Sequence, residues 1–341
     1  MTDSTLAIFI IWCFLFVYSI LGSIDFGAGF WAMVFGQRAD TNAADIANRY
    51  LSPSWKVTNV FLVLLVVALV GFFPLAMPLL GTLLVTPVCL VLILLTLRST
   101  FMVYSHMSPR YVPLLRFVSG ITGLLIPGLL ITLLPVTLGG FVEMTDGHPS
   151  VLTGKLLMSR TEYAHLAFGI ATELFLSALF LADFAREAED EATYRVYRHI
   201  AVAIGPLTLL TGILAAVSMV PEAHWLVERM RERASWFMLS AAAFAIGYSA
   251  LWWKAGGGRT GVPRAAVVCV IIQYGLASFG YGSAHLPYII YPHLTVEQGI
   301  TNAVMFRSLL VGYAAGTLVL VPVFIWFWRL FLKDKRYLKQ E

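Results

Sequence analysis

The chain has 341 residues, 59% of them hydrophobic and 12% charged, with a mean hydropathy of +0.81 and a formal net charge of +4. This is far more apolar than a soluble globular chain, and it excludes a soluble enzyme or a nucleic-acid binder. An all-α, polytopic membrane protein remains, read as one integral membrane domain over residues 1–341.

A hydrocarbon core about 30 Å thick takes roughly 20 apolar residues per helix. Segments of that length recur at about 6–35, 54–73, 75–97, 113–135, 161–183, 200–220, 235–254, 264–285 and 303–332, predicting about nine transmembrane helices. The first is read as a retained helix rather than a secretory signal. Asp3 stands where a basic region would be expected, and the apolar run is too long. Runs such as "FLVLLVVALVGFF" do not alternate, which excludes the strands of an outer-membrane barrel.

Basic residues set the expected orientation. Seventeen Lys and Arg, Arg38, Arg98, Arg116 and Arg264 among them, fall to one side, against six (Lys155, Arg160, Arg229, Arg231, Arg233, Arg307) on the other. Because cytoplasmic loops retain positive charge, the N-terminus is expected outside and the C-terminus inside. The tail "KDKRYLKQE" then reads as a lipid-facing anchor. The loops are short, so no soluble catalytic domain separates the helices.

Ionisable groups in hydrocarbon cost several kcal/mol and commonly face protein or water. In the first segment the stretch "GSIDFGAGFW" puts Tyr18, Gly22, Asp25 and Gly29 on one narrow helical arc. The glycines would admit a close backbone neighbour, so Asp25 should face protein. It either fixes a helix contact or belongs to a polar path. Lys56 opens the second segment and could snorkel to the inner interface or pair with Asp25.

The fifth segment carries a second arc of Glu162, His165, Gly169, Glu173 and Asp183. At 1.5 Å per residue, Glu162 to Asp183 spans roughly 32 Å, a polar stripe across a whole membrane helix. Carboxylates and an imidazole in series can pass protons. The plainer alternative places Glu162 and Asp183 at the two interfaces and leaves Glu173 alone at depth.

None of the seven histidines falls at the centre of a segment, and Cys13, Cys89 and Cys269 stand singly, so no local ligand pair emerges. The stretch "PEAHWLVERMRERASW" reads as a short interfacial helix with self-neutralising charges. "HLPYIIYPHLT" reads as an interfacial aromatic belt. A secondary transporter is the alternative class. It would commonly show matching Gly or Pro breaks in two halves, but Pro78, Pro87 and Pro127 have no counterparts in position.

The chain resembles subunit II of the cytochrome bd-type quinol oxidases, bacterial membrane enzymes that oxidise a quinol and reduce dioxygen to water. "GSIDFGAG" is similar to that family's G-F-D-x-G-x-G signature at the end of the first helix. "SPSWKVTNVF" is similar to its P-x-W motif opening the second, which makes Trp55 and Lys56 a helix-entry pair. Two positions depart from the pattern: Gly22 stands where an acid is common, and Lys56 where the residue after the tryptophan is often acidic. The resemblance implies a haem-free subunit packed against a haem-bearing subunit I. That partner would hold b-type haems, with d-type left open, and the quinol site. A small single-helix subunit is also left open. Asp25 would belong to a proton route from the cytoplasm. Glu173, His165 and Glu162 stand outside the resemblance as candidates for a second hydrated path or for the subunit interface.

Overall fold

The structure is a computed structural model, and it describes residues 2–36, 41–105, 112–145, 148–254 and 259–332, with the side chains at 52–55, 105, 327, 328 and 330–332 left aside. In chain order the helices are α1 (Asp3–Val34), α2 (Ala43–Phe72), α3 (Met77–Ser105), α4 (Val112–Ile131), α5 (Leu133–Thr137), α6 (Thr153–Leu157) and α7 (Arg160–Glu187). They continue with α8 (Glu191–Ser218), α9 (His224–Glu232), α10 (Ala234–Ser249), α11 (Pro263–His285), α12 (Val296–Gly299) and α13 (Ala303–Leu332). A 3-10 turn at Pro74–Ala76 separates α2 from α3. Two small antiparallel hairpins complete the chain, β1 (Val142–Thr145) with β2 (His148–Val151), and β3 (Tyr288–Ile290) with β4 (Leu294–Thr295).

The architecture is the expected polytopic helical bundle. Each of the nine apolar segments has a counterpart among the long helices, but they are not equal. Among the described residues, seven helices are long and apolar enough to cross a membrane. The α2 segments Ala43–Leu51 and Lys56–Phe72 lie at 47° to one another, the geometry of a broken span or a re-entrant turn, and count as an eighth span if the two are one. The 16-residue α10 is shorter than a full crossing. The α9 helix sits where the short charged helix was expected.

Local chemistry explains several boundaries. The α7 N-terminus is capped by Ser159, whose hydroxyl accepts from the Thr161 N–H at 3.0 Å. Asp190 caps α8 by accepting from the Thr193 N–H at 3.0 Å, which is why α8 begins nine residues before the apolar run at 200. Hydropathy alone cannot see that solvated first turn. The third segment likewise continues past 97 through Arg98 to Ser105.

The two largest of four hydrophobic clusters hold most of the bundle. One joins α1, α2, α7, α8 and α11 around Ile24, Trp31, Leu179, Tyr197 and Val270. The other lies where α1 begins and gathers Ala7, Phe72, Phe73, Val136, Ile290 and Phe306. Several buried hydroxyls are spent on backbone carbonyls, which offsets their cost in a low-dielectric interior. Tyr197 donates to the Ala43 carbonyl at 2.7 Å and Thr208 to that of Ala171 at 3.0 Å. Helix α13 stands apart: none of its membrane-spanning window is buried, and with α2 it borders an apolar groove of about 560 Å³.

Candidate functional site

The stretch "GSIDFGAG" lies inside α1, although each interior glycine costs helix stability, by roughly 1 kcal/mol relative to alanine. Its neighbours explain two of the three. A Cβ at Gly27 would overlap the Ser177 side chain of α7 and come within 3.1 Å of the Glu173 carbonyl oxygen. A Cβ at Gly29 would lie 2.8 Å from both Arg98 Nη1 and Ser119 Oγ. The close approach is therefore made at Gly27 and Gly29. Gly22, expected to share it, would meet only Phe26 and Tyr18 of its own helix. From α4, Gly123 closes the packing, since a Cβ there would stand 2.5 Å from the Phe26 carbonyl oxygen.

Asp25 is 2% exposed and faces protein, as its arc implied, but its surroundings differ from expectation. Its structural counter-ion is Arg98 of α3, also 2% exposed, with Nη2 3.7 Å from Oδ2. Arg98, counted in the sequence among the basic residues of one side, is carried to Asp25 by the extension of α3, a neighbour the sequence did not offer beside Lys56. The guanidinium is tightly held. Nη1 donates to the Ser119 carbonyl at 2.6 Å and to Ser119 Oγ at 3.1 Å, and Nη2 donates to the Asp25 carbonyl at 2.9 Å. The Phe26 ring lies 5.1 Å from the guanidinium carbon.

Glu173 of α7 is fully buried, and neither carboxylate oxygen has a hydrogen-bond partner among the described residues. It lies within the electrostatic field of Arg98, as does Asp25. Next to it, Ser177 accepts from the Trp31 indole N–H at 2.9 Å and donates to the Glu173 carbonyl at 2.7 Å. Helices α1, α3 and α4 thus converge on the buried pair of Asp25 and Arg98, and α7 packs against the same stretch of α1 at Gly27, with Glu173 buried on it.

The α7 stripe divides into three. Glu162 and His165 are buried near the start of the helix, and His165 Nδ1 lies 2.8 Å from the Thr161 carbonyl oxygen. His165 and Glu173 are about 12 Å apart along the axis. Between them Gly169 packs against Ile131. At the other end Asp183 accepts from Arg264 Nε at 2.7 Å, and Arg264 Nη2 reaches Glu187 at 3.1 Å. Along α7, then, Glu162 and His165, Glu173, and Asp183 each sit among different neighbours. Glu222, read as a self-neutralised loop residue, instead accepts from Ser159 at 3.2 Å and Thr161 at 2.9 Å. A carboxylate there complements the α7 dipole.

Lys56 is exposed, and the side chain of Trp55 lies outside the described residues. Arg98 carried a signal that was available in the sequence: a single Arg between "LLTL" and "FMVY", apolar on both sides. Ser119 and Ser177 carried none, because a lone serine in an apolar helix is ordinarily a packing residue.

These features define a multi-pass membrane protein built around a desolvated charge pair, with no group of three His, Cys, Asp or Glu among the described residues able to hold a metal. Residues 3–331 match the family of cytochrome bd terminal oxidase subunit II. A putative cytochrome bd menaquinol oxidase subunit II from Bacillus subtilis (strain 168) is 46% identical over 342 residues, covering 100% of this chain and 99% of that protein. A chain in the structure of bd oxidase from Geobacillus thermodenitrificans superposes with a TM-score of 0.83 at 32% identity, covering 98% of this chain and 100% of that one. The chain belongs to the cytochrome bd terminal oxidase subunit II family. It is a subunit of a haem-containing quinol oxidase that works in complex with subunit I in the bacterial cytoplasmic membrane. That assignment replaces the transporter alternative.

Proposed function

We propose that this subunit carries no haem of its own, braces the haem-bearing subunit I, and supplies through Asp25 part of a proton route from the cytoplasm, its N-terminus lying outside. The observation that carries the reading is the burial of the Asp25–Arg98 pair where α1, α3 and α4 meet, with Glu173 buried on α7. Burying charge without a compensating network costs several kcal/mol. A chain needed only as a wall could fill that volume with apolar side chains.

The haem-free part rests on donor chemistry. The groove between α2 and α13 is lined by aliphatic residues, glycines, hydroxyl groups and Met305, with no imidazole. His165 and His285, the buried histidines among the described residues, each set Nδ1 against a backbone carbonyl oxygen, at 2.8 and 2.9 Å. No step of the oxygen chemistry is routed through this chain. The haems and the quinol site are read as belonging to subunit I, where quinol would supply the electrons and the haems would carry them to dioxygen. The contribution of this chain is to hold and move protons at carboxylate oxygens and to keep water and ions from crossing freely.

The test is Asp25→Asn in the purified oxidase complex. Proton uptake and oxygen reduction are expected to fall together while the visible haem spectrum is unchanged. Normal turnover with normal proton uptake in a fully assembled complex would overturn the reading.

A further inference from the structure

At the end of the bundle where α7 stops and α8 begins, the charges are unevenly paired. Asp183 and Glu187 on α7 are taken by Arg264, at 2.7 and 3.1 Å, and Glu191 by Arg186 at 3.5 Å. Arg195 and Arg198 on α8, with Lys254 and Arg259 between α10 and α11, form no ion pair among the described residues.

The main chain places these cations. Arg198 Nε donates to the Leu251 carbonyl at 2.7 Å, and the guanidinium carbon lies 5.8 Å from the centre of the Trp252 ring. Its two Nη atoms make no hydrogen bond among the described residues, so a fixed fork of donors points away from the chain's own acceptors. Arg195, exposed, lies one turn earlier on the same side of α8. Lys254 and Arg259 are also exposed, and Lys254 pairs with Thr260 in a main-chain bridge. The Thr260 carbonyl accepts from Arg186 Nη2 at 3.0 Å and from the Tyr194 hydroxyl at 2.9 Å, which ties this bridge to α7 and α8.

The surface around the cations suits a membrane interface. Trp252 and Trp253 are exposed, as aromatic rings at headgroup level are. Tyr248 lies against Trp252 with ring centres 4.9 Å apart, and a Cβ at Gly205 would stand 2.7 Å from the Tyr248 ring, so α8 and α10 meet closely here. Farther along, the same two helices expose Leu207, Leu210 and Ile246. Cation, aromatic ring and aliphatic surface follow one another as phosphate, glycerol and acyl chain do in a phospholipid. A soluble anion would use only the first of these.

We propose that this face binds an anionic phospholipid, its phosphodiester held by the Arg198 fork and its acyl chains lying along α8 and α10. A planar guanidinium presents paired N–H groups to phosphate oxygens, and Arg195, Lys254 and Arg259 add attraction for the negative headgroup. With the N-terminus outside, as proposed above, the lipid comes from the cytoplasmic leaflet. The binding itself depends neither on that orientation nor on the proton route.

The test is native mass spectrometry of the purified, delipidated oxidase complex titrated with phosphatidylglycerol, phosphatidylcholine or inorganic phosphate. Wild type is expected to retain one more phosphatidylglycerol than Arg198→Gln, with phosphatidylcholine uptake equal in the two. Arg198→Lys keeps the charge without the fork and should fall between them. Arg195→Gln, Lys254→Gln and Arg259→Gln should each weaken phosphatidylglycerol binding about fivefold, the share of one cation near a headgroup. Unchanged haem absorbance and thermal unfolding show that a variant is intact. If Arg198→Gln does not assemble, the three exposed-cation variants decide the matter. Phosphatidylglycerol binding unchanged in all intact variants would overturn the proposal. Equal retention of phosphatidylcholine at the affected site, or displacement of the lipid by inorganic phosphate, would overturn it as well.

Discussion

Nη2 of Arg98 donates to the main-chain carbonyl oxygen of Asp25 at 2.9 Å while standing 3.7 Å from the carboxylate of the same residue. One side chain thus ties α3 to the backbone of α1 and neutralises the acid that α1 carries into the bundle. Removing it takes away that buried counter-charge and one donor from each of the two carbonyls. Arg98→Gln is expected to cost about 3–5 kcal/mol, the usual penalty for breaking a buried ion pair from one side. Arg98→Lys should recover only part of this, because an ammonium is a compact point charge and cannot reproduce the planar fork. Thermal unfolding of the purified complex separates the two variants. Equal stability of Arg98→Gln and wild type would show that the pair contributes nothing.

The glycines of α1 make unequal predictions. At Gly27 a methyl group would overlap Ser177, so Gly27→Ala should destabilise the α1–α7 contact by roughly 1–3 kcal/mol, as overpacking does. Ser177→Gly in the same chain should return part of that loss by clearing the Oγ and Cβ. Gly22→Ala meets only the ring atoms of Phe26 at 3.3 Å and beyond, and should be tolerated. Denaturation midpoints of the three variants give the comparison.

Much of the fold was legible because hydrophobic length is a strong signal in hydrocarbon. The positions of α1, α4, α7, α11 and α13 follow from it directly. Boundaries set by polar caps were not: α8 starts at Glu191 because of Asp190, and the apolar count begins only at 200. The site was half legible. Asp25 and Glu173 stand out as carboxylates in apolar runs, but the counter-ion of Asp25, Arg98, sits at the edge of a hydropathy window and resembles a loop cation. The pairing of Gly27 with Ser177 depends on which helices touch, which no single sequence reveals.

Asp190 predicts a pH dependence on the acid side. Although its partial burial raises it, hydrogen bonds from Thr193, Asn42 and the Ala192 N–H more than offset this and hold the Asp190 carboxyl below its ordinary value. A carboxylate lowered in the folded state contributes stability that is present above its unfolded value, about 3.9, and is lost as pH falls through the folded value. Asp190→Ala should therefore lower the melting temperature at neutral pH, by an amount matching about 1 kcal/mol for a lost cap. The gap from wild type should narrow below about pH 4. A gap that stays constant down to the acid limit of folding would assign the effect to something other than ionisation.

Helix α13 presents Ser308, Gly312 and Gly316 to the groove it shares with α2, and a Cβ at either glycine would meet nothing within 4 Å. Within this chain, then, neither glycine is required by packing. Stripes of small residues let helices approach closely in membranes, where van der Waals contact and not hydrophobic burial drives association. Subunit I, which this family accompanies, is the partner that such a face would meet. Gly312→Leu should leave the folding of this chain unaffected and reduce the yield of subunit I recovered with it. The measurement is co-purification from membranes through a tag on this subunit, with haem absorbance per mole of chain as the readout. Undiminished recovery of subunit I with Gly312→Leu would place the docking face elsewhere on the bundle, and the exposed aliphatic surface of α3, including Val85, Leu92 and Ile93, would be the next to test.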